Sequence, residues 1–515
     1  MSRAKSDLSR LLILLLFASL LVTMSVMGEG HSSHVYGQHP LQKYITEYPV
    51  PTPNAAPLAI TIDDSGNVWF TESNASKLGM FNSVNQTFRE YKVPWVGDMW
   101  GVIVGEGGDI WFTQYSGMGS VSPGGAVVPG GYGAIVRFNP VTLNFTRFQI
   151  PSVSSFPLRL KQDSQGRVWF TELLGGRIGV YDPNQNSLKE YPVPTNESGP
   201  ADLTFDPHGN LWFTEAYASQ VGEFNPQTKA FIEYPLGGNA SYQSISSPVG
   251  IALDSHGIVW VADHGGNWIV RFDPQTRNTV EFPTHFPPKE IYPISLVNDL
   301  LIDSSGRIWF AEHGGNSIGY FVPETLTMVE FPIPTGPISA TLWLSRAPNG
   351  DIWFTEWSGN NIGRIRGNVQ IPFTLSATTN SIAVGQGDQA NLALRVDSVP
   401  AFTGNGTVFL ALGSYNPEDV LGAFTPPNLT LGATPVTIQA QLTMSKNIQP
   451  GNYTLALGVD AGSIRVLTTI SLQVAKAGLV NSLVAQSVEI ILVAVVAATA
   501  IGLILRRALR RARAA

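Results

Sequence analysis

Short apolar strands separated by glycine-containing turns repeat along most of the chain. Each repeat has a first apolar strand, a polar turn with glycine, and a second strand that begins near a tryptophan and ends in an acidic residue or glutamine. Seven second strands carry Trp69, Trp111, Trp169, Trp212, Trp260, Trp309 and Trp353. Repeats of roughly 40 to 50 residues made of short strands are typical of β-propeller blades.

A third and a fourth strand follow each of the first six pairs, and the fourth ends in motifs such as EYPVP at 190–194. The seventh pair is followed by a third strand at 361–365 but by no fourth strand. The segment 44–49, which precedes the first pair, has the missing fourth-strand motif. Because an open array would leave a strand edge unpaired, we expect residues 40–367 to form a seven-bladed β-propeller closed by an N-terminal strand.

Residues 371–476 have a different pattern, in which apolar and polar residues alternate through segments such as ANLALRV and VTIQAQLTM. Six or seven strands in about 100 residues are typical of an immunoglobulin-like β-sandwich. The predicted fold class is therefore all-β, with the sandwich acting as a stalk after the propeller.

The two ends of the chain have the pattern of membrane signals. Residues 1–28 combine early basic residues with an apolar run, which indicates a signal peptide or, alternatively, an uncleaved signal anchor. Residues 480–505 contain a second apolar run long enough for a transmembrane helix, although a buried helix is the alternative. The tail 506–515 is rich in arginine, which predicts a cytoplasmic C-terminus and an extracytoplasmic bulk at the cell membrane.

Composition removes several classes of function. The 515 residues include no cysteine, which excludes disulfides, thiolate metal sites and a cysteine nucleophile. The net charge of −7 argues against nucleic acid as a partner. The predicted external region carries sequons that make the chain a candidate glycoprotein, at Asn74, Asn85, Asn144, Asn196, Asn239, Asn405, Asn428 and Asn452.

The residue that ends each second strand is the main candidate for chemistry. These residues are Glu72, Gln114, Glu172, Glu215, Asp263, Glu312 and Glu356. In an antiparallel pair, the start of the first strand and the end of the second share one face, so we expect a ring of carboxylates around one mouth of the propeller. A glycine-rich insertion at 116–133 leaves the same face and is a candidate lid.

Different roles are expected within this acidic face. Glu72, Gln114, Glu172 and Glu215 are candidate ligand-binding residues. Glu312, Asp263 and Glu356 are candidate ligands for Mg²⁺ or Ca²⁺, because carboxylates suit these hard cations. His264 and His313 directly follow two of the acids and are the candidate catalytic residues. The alternative is that a residue repeated in every blade serves the blade itself.

The repeats DSQGRVWFTELLGGRIGVYDP (163–183) and DSSGRIWFAEHGGNSIGYFVP (303–323), with outer strands ending EYPVPT, resemble virginiamycin B lyase, the streptogramin lyase, across 40–367. The resemblance implies a seven-bladed propeller that opens a cyclic depsipeptide antibiotic at its ester bond by elimination with Mg²⁺. The family's working histidines lie where the chain begins the inner strands, and no such strand start contains histidine here. Only Glu356 matches a family site, the glutamate after a second strand.

Two hypotheses follow for the function. The favoured one is a membrane-anchored extracytoplasmic propeller that binds an unknown extracellular ligand or protein at its acidic face. The alternative is a metal-assisted lyase or hydrolase acting on an ester or lactone. Sugar-lactone hydrolysis is a third option that rests on fold analogy alone.

Overall fold

The computed structural model describes residues 44–116, 131–236, 247–285, 296–336, 339–399, 402–411 and 419–476. In these ranges the helical elements are two single turns of 3₁₀ helix, Ser73–Ala75 and Glu106–Gly108, and all other regular structure is β. No helix within these ranges is both long and apolar enough to cross a bilayer. The predicted signal segment, nearly all of the glycine-rich insertion, Asn239 and the C-terminal apolar run lie outside the described residues.

Seven four-stranded antiparallel units follow one another in the described chain. Blades 1 to 3 consist of β2 (Pro57–Ile62), β3 (Asn67–Glu72), β4 (Lys77–Asn82), β5 (Thr87–Lys92); β6 (Asp98–Val104), β7 (Ile110–Ser116), β8 (Tyr132–Asn139), β9 (Asn144–Val153); and β10 (Pro157–Gln162), β11 (Val168–Glu172), β12 (Arg177–Asp182), β13 (Ser187–Pro192). Blades 4 and 5 consist of β14 (Pro200–Phe205), β15 (Leu211–Glu215), β16 (Gln220–Phe224), β17 (Phe231–Pro235); and β18 (Pro248–Leu253), β19 (Val259–Asp263), β20 (Trp268–Asp273), β21 (Asn278–Pro283).

Blades 6 and 7 each pair with a strand from a distant part of the chain. Blade 6 consists of β22 (Val297–Ile302), β23 (Ile308–Glu312), β24 (Ser317–Val322) and β25 (Thr327–Pro332), and blade 7 of β26 (Thr341–Arg346), β27 (Ile352–Glu356), β28 (Asn361–Ile365) and β1 (Ile45–Pro49). Strand β1 pairs antiparallel with β28, with Ile45 opposite Ile365 and Pro49 opposite Asn361. The predicted completion of the last blade by the N-terminal strand is confirmed.

The repeated aromatic residues hold each blade together. The indole Nε1 of Trp169 donates a hydrogen bond to Asp163 Oδ2 at 2.7 Å, and the corresponding Trp309–Asp303 bond is 2.8 Å. On the other side of the strand, Phe170 covers Gly179, where an added Cβ would lie 2.0 Å from the ring. The tryptophans therefore stabilise the blade.

Residues 373–475 form two facing sheets around one apolar core. One sheet has the order β29-β31-β35-β33, and the other has β34-β32-β36-β37 with β30 parallel to β37. Their bounds are β29 (Phe373–Ala377), β30 (Ser381–Gly385), β31 (Gln389–Ser398), β32 (Gly404–Ala411), β33 (Val420–Thr425), β34 (Asn428–Leu431), β35 (Val436–Met444), β36 (Gly451–Asp460) and β37 (Arg465–Ala475).

The sandwich is joined to the propeller through a shared sheet. Strand β37 pairs antiparallel with β25, the outer strand of blade 6, from Thr327 opposite Thr468 to Glu330 opposite Arg465. The apolar core of the sandwich also continues into blades 6 and 7. The outer edge of blade 6 is therefore covered by a strand of the second domain.

Candidate functional site

The expected ring of carboxylates on the mouth surface is wrong. Glu72, Gln114, Glu172, Glu215, Glu312 and Glu356 are 0% exposed, and Asp263 is 2% exposed. Side chains alternate along a strand, so each acid lies on the same side as the buried residue two positions before it, as Glu172 does with Phe170. The predicted ligand-binding role required surface positions, and none of the four residues concerned has one: Glu72, Glu172, Glu215 and Gln114.

Each of several buried acids faces a second acid from the outer strand of its own blade. Burial, followed by the charge of Glu190, raises the pKa of Glu172 to about 8. Burial raises the pKa of Glu215 to about 7, with a smaller contribution from Glu233. A buried carboxyl group beside a second acid ionises only at a cost, so Glu172 retains its proton at pH 7.

Blades 1 and 7 repeat this arrangement with different surroundings. Burial, together with Glu90, raises the pKa of Glu72 to about 7, although Lys77 opposes the shift. Burial and then Glu47 raise the pKa of Glu356 to about 8, opposed by a hydrogen bond from Asn361. Glu47 belongs to β1, so the closing strand supplies the second acid of blade 7.

His264 and His313 lie beside each other at the mouth, with ring centroids 5.9 Å apart. Their backbone N–H groups bond to the carbonyls of Ser247 and Leu296, each at 3.0 Å, which ties both to the chain just before β18 and β22. Burial lowers the pKa of His264 to about 4. Burial and the neighbouring His264 lower the pKa of His313 to about 3. Both rings are therefore neutral at pH 7, and their catalytic role stays a prediction.

An ionic cluster that the sequence did not suggest lies at the axis. Arg159 Nε is 3.0 Å from Asp202 Oδ1, and Arg159 Nη2 is 3.0 Å from Asp299 Oδ1. These residues belong to the first strands of blades 3, 4 and 6, and blades 3 and 6 can meet only across the centre of the ring. Asp299 Oδ2 also accepts a hydrogen bond from the Leu344 N–H of blade 7 at 2.9 Å.

Aromatic side chains surround this cluster. The Arg159 guanidinium lies 5.1 Å from the centroid of the Trp343 ring. Trp100 meets Trp343 edge-on at 6.2 Å and contacts Phe156 at 5.2 Å. The same apolar cluster includes Leu158 from the start of β10 and Leu342 from the start of β26. The inner wall of the mouth is therefore apolar and aromatic over an ionic floor, rather than acidic.

The sequence did contain a signal for the axial cluster, namely the variation at one position of the repeat. Arg159, Asp202, Asp299 and Trp343 occupy the position that is Ala59, Gly101 and Gly250 in the other blades. Repeats are recognised by positions that agree between blades, whereas this position holds Ala, Gly, Arg, Asp or Trp. A position that the blade does not constrain is free to serve a ligand.

The acids predicted to bind a metal do not converge. Glu312, Asp263 and Glu356 end the second strands of three different blades. Asp263 Oδ1 accepts the Ser247 N–H at 2.7 Å, and Glu356 Oε2 accepts from Asn361 Nδ2 at 2.9 Å. Within the described residues there is no group of three or more His, Asp or Glu side chains that could hold a metal ion. The donors present do not fit a divalent cation, and we derive no step through one.

Comparison with known proteins agrees with the propeller fold. Residues 133–338 match the sequence profile of the Virginiamycin B lyase family. A streptogramin B lyase structure is 27% identical with a TM-score of 0.52, covering 63% of this chain and 98% of its own. The propeller is virginiamycin B lyase-like. Two structures of virginiamycin B lyase from Staphylococcus aureus, one of them catalytically inactive and with quinupristin, are 23% and 22% identical, each covering 62% of this chain and 98% of its own with a TM-score of 0.52.

The likeness to virginiamycin B lyase is confined to the propeller. Because the two Staphylococcus aureus structures are less than 25% identical to this chain, they support the fold and not the activity. No curated protein sequence matches the chain. The family's members use a divalent metal, whereas the described donors of this chain do not form such a site. The fold is thus shared, and the chemistry of the mouth has to be argued from this chain's own residues.

Proposed function

We propose that the chain is an extracytoplasmic, membrane-anchored propeller that binds an apolar, aromatic-containing small molecule at its mouth. The observation that carries the proposal is the cluster of non-repeated residues at the axis. Arg159, Asp202 and Asp299 form an ionic cluster, and Trp100 and Trp343 lie beside it. Ligand sites combine such apolar walls with a few convergent polar groups.

The neutral histidine pair supports the same conclusion. With pKa values of about 4 and 3, His264 and His313 carry no charge at pH 7. Imidazoles in this state donate and accept hydrogen bonds, and they suit an uncharged polar group such as an ester or amide. The metal-assisted lyase stays the alternative because the fold is shared with virginiamycin B lyase.

The test uses the full-length chain in detergent, with quinupristin as the probe. Calorimetry measures binding, and mass spectrometry measures ring opening with Mg²⁺ and with chelator. We expect binding without ring opening. Replacing Trp100 by leucine should weaken binding about tenfold, since loss of one aromatic anchor costs roughly 1.4 kcal/mol or more.

The matched control is Trp95→Leu. Trp95 is also partly buried, and it lies under Arg147 at 5.7 Å, on the blade 1–2 connection. Its loss should leave binding unchanged. Equal affinities for the wild-type chain and Trp100→Leu would contradict the proposed site, and Mg²⁺-dependent ring opening would replace the binding proposal by the lyase.

The anchored topology is part of the proposal and rests on the sequence of the two ends. The seven described sequon asparagines are all exposed, which suits an external location. A tag on the C-terminus should resist protease added to intact cells, while the propeller should be cleaved. Degradation of the tag under those conditions would contradict this orientation.

We infer further that the sandwich is immunoglobulin-like. Its sheet order β29-β31-β35-β33 corresponds to strands A, B, E and D of that fold, and β37-β36-β32 corresponds to G, F and C. The domain precedes the apolar C-terminal run in sequence, which supports its role between propeller and membrane.

A further inference from the structure

One position of the outer strand holds a glutamate in six blades and an arginine in blade 2. Arg147 lies opposite Val136 of the third strand, as Glu90 of blade 1 lies opposite Gly79. Both third-strand residues in turn lie opposite the phenylalanine that follows the repeated tryptophan. The six glutamates are Glu47, Glu90, Glu190, Glu233, Glu281 and Glu330. Blade 2 therefore has a cation where every other blade has an acid.

Two neighbouring positions have changed together with Arg147. Gln114 replaces the acid that ends the second strand in the other blades, and Trp95 replaces a threonine on the connection from the preceding blade. In blades 1, 4 and 7 the N–H of this threonine donates to the outer-strand glutamate at 3.0, 2.8 and 2.8 Å, from Thr52, Thr195 and Thr335. In blade 2 the Trp95 carbonyl accepts from Gln114 Nε2 at 3.0 Å, and its ring centroid lies 5.7 Å from the Arg147 guanidinium.

The Arg147 guanidinium has no counter-charge among the described residues. Burial lowers the pKa of Arg147, and no carboxylate opposes this shift. For Arg159, in contrast, Asp202 and Asp299 outweigh the effect of burial and raise the pKa. The Arg147 Nε is buried and donates no hydrogen bond within the described part of the chain. The glycine-rich insertion at 116–133, which leaves the same blade, contains neither aspartate nor glutamate.

Exposed apolar side chains lie at the end of blade 2 where Trp95 covers Arg147. Tyr132 at the start of β8 and Val153 at the end of β9 lie opposite each other and are 52% and 56% exposed. Val96, which follows Trp95 on the connection into β6, is 86% exposed. A guanidinium can bind a carboxylate through two parallel hydrogen bonds, and exposed apolar side chains suit the apolar part of a ligand.

We propose that this end of blade 2 binds a carboxylate carried on an apolar group, and that Arg147 binds the carboxylate. Two sources share this chemistry, a free aryl or alkyl acid and the C-terminal residue of a peptide. Trp95 covers one face of the guanidinium and positions it. The site goes beyond the function proposed for the mouth, because Arg147 belongs to an outer strand whereas Arg159 belongs to a first strand at the axis.

The test measures equilibrium dialysis of the full-length chain in detergent with 3-phenylpropionate and with its uncharged amide. We expect the acid to bind about tenfold more tightly than the amide at low salt, because only the acid pairs with Arg147, and we expect salt to reduce the difference. A tripeptide ending in phenylalanine, as the free acid and as the C-terminal amide, is the second arm. Binding of the peptide acid alone assigns the site to peptide C-termini, and binding of both acids assigns it to apolar carboxylates in general.

Variants at Arg147 show whether this residue is responsible. Arg147→Met keeps the apolar stem, removes the charge and should abolish the preference for the acid. Arg89→Met is the matched control, because Arg89 is an exposed arginine on the outer strand of blade 1, and it should leave the preference intact. If Arg147→Met folds poorly, Arg147→Glu installs the residue that the other six blades have and should repel the acid. Equal binding of acid and amide to the wild-type chain would overturn the proposal, as would a preference for the acid that survives the changes at Arg147.

Discussion

At the scale of the residue, the non-repeated positions of a repeat protein carry its individual chemistry. Arg159 is held by two carboxylates and the face of an indole, all from other blades. A blade does not need such a residue, because Ala59, Gly101 and Gly250 occupy the same place in blades 1, 2 and 5. Its presence ties four blades together at the axis and sets the polarity of the mouth.

The first prediction concerns the loss of this guanidinium. Arg159→Met leaves Asp202 and Asp299 buried side by side without a counter-charge, and breaking a buried ionic contact in this way costs about 3–5 kcal/mol. Denaturant unfolding at pH 8 measures it. Arg137→Met is the control, because Arg137 is more exposed and lies 3.6 Å from Asp109 on the outer part of blade 2. Equal effects of the two changes would show that the axial cluster has no special weight.

At this scale the sequence predicted the role of the repeated tryptophans correctly. It did not predict on which side of the strand the terminal acids lie. The structural role of the tryptophans could be predicted, because a residue that recurs in all seven blades is most simply explained by the packing of the blade. The acids at the strand ends were placed on the correct strands but on the wrong side. The acids were expected on the surface, whereas the alternation of side chains along a strand puts each of them on the side of the buried residue two positions before it.

At the scale of the element, the closure of the propeller ring by β1 gives the most direct test. Tyr48 of β1 stacks on Trp353 of blade 7 at 5.5 Å and contacts Phe81 of blade 1 at 4.6 Å. It therefore joins the two ends of the ring.

The second prediction is that Tyr48→Ala destabilises the chain by about 3–5 kcal/mol, as large-to-small changes of buried aromatic residues do. Chemical denaturation followed by tryptophan fluorescence measures the change. Tyr132→Ala removes an aromatic ring that is 52% exposed and should cost within about 0.5 kcal/mol. If the two variants unfold alike, β1 is not part of the cooperative ring.

The elements and the closing strand could be predicted because each leaves a pattern of apolar alternation or a repeated motif. The pairing of β25 with β37 leaves none. Backbone hydrogen bonds between two edges involve no particular side chains, and Arg465 is one arginine in a long apolar strand.

At the scale of the whole molecule, the buried acids and histidines give the chain an unusual dependence on pH. The pKa values of Glu72, Glu172, Glu215 and Glu356 are raised from 4.5 to about 7 or 8 in the folded state. The folded chain then holds protons that the unfolded chain releases. Their contribution to stability is present below about pH 4.5 and is lost as the pH rises through 7 to 8.

The histidines act in the opposite direction. His264 and His313 have pKa values lowered from 6.5 to about 4 and 3, so the unfolded chain binds protons that the folded chain does not. Their penalty grows as the pH falls below about 6.5. The two sets together place maximum stability in the mildly acidic range, with a decline on both sides.

The third prediction follows from this balance. The melting temperature of the full-length chain should be highest near pH 4.5 to 5 and should fall from there to about pH 8, because the four acids hold protons that the unfolded chain has released and the two histidines oppose only part of this loss. Glu172→Gln mimics the protonated side chain, so it should stabilise the chain at pH 8 and have little effect at pH 5. The exposed Glu324→Gln serves as control and should be neutral at both. A maximum at pH 8, or a Glu172→Gln effect that does not grow with pH, would mean that the pairs are ionised in the folded state and that cations such as Lys77, rather than shared protons, hold the blades together.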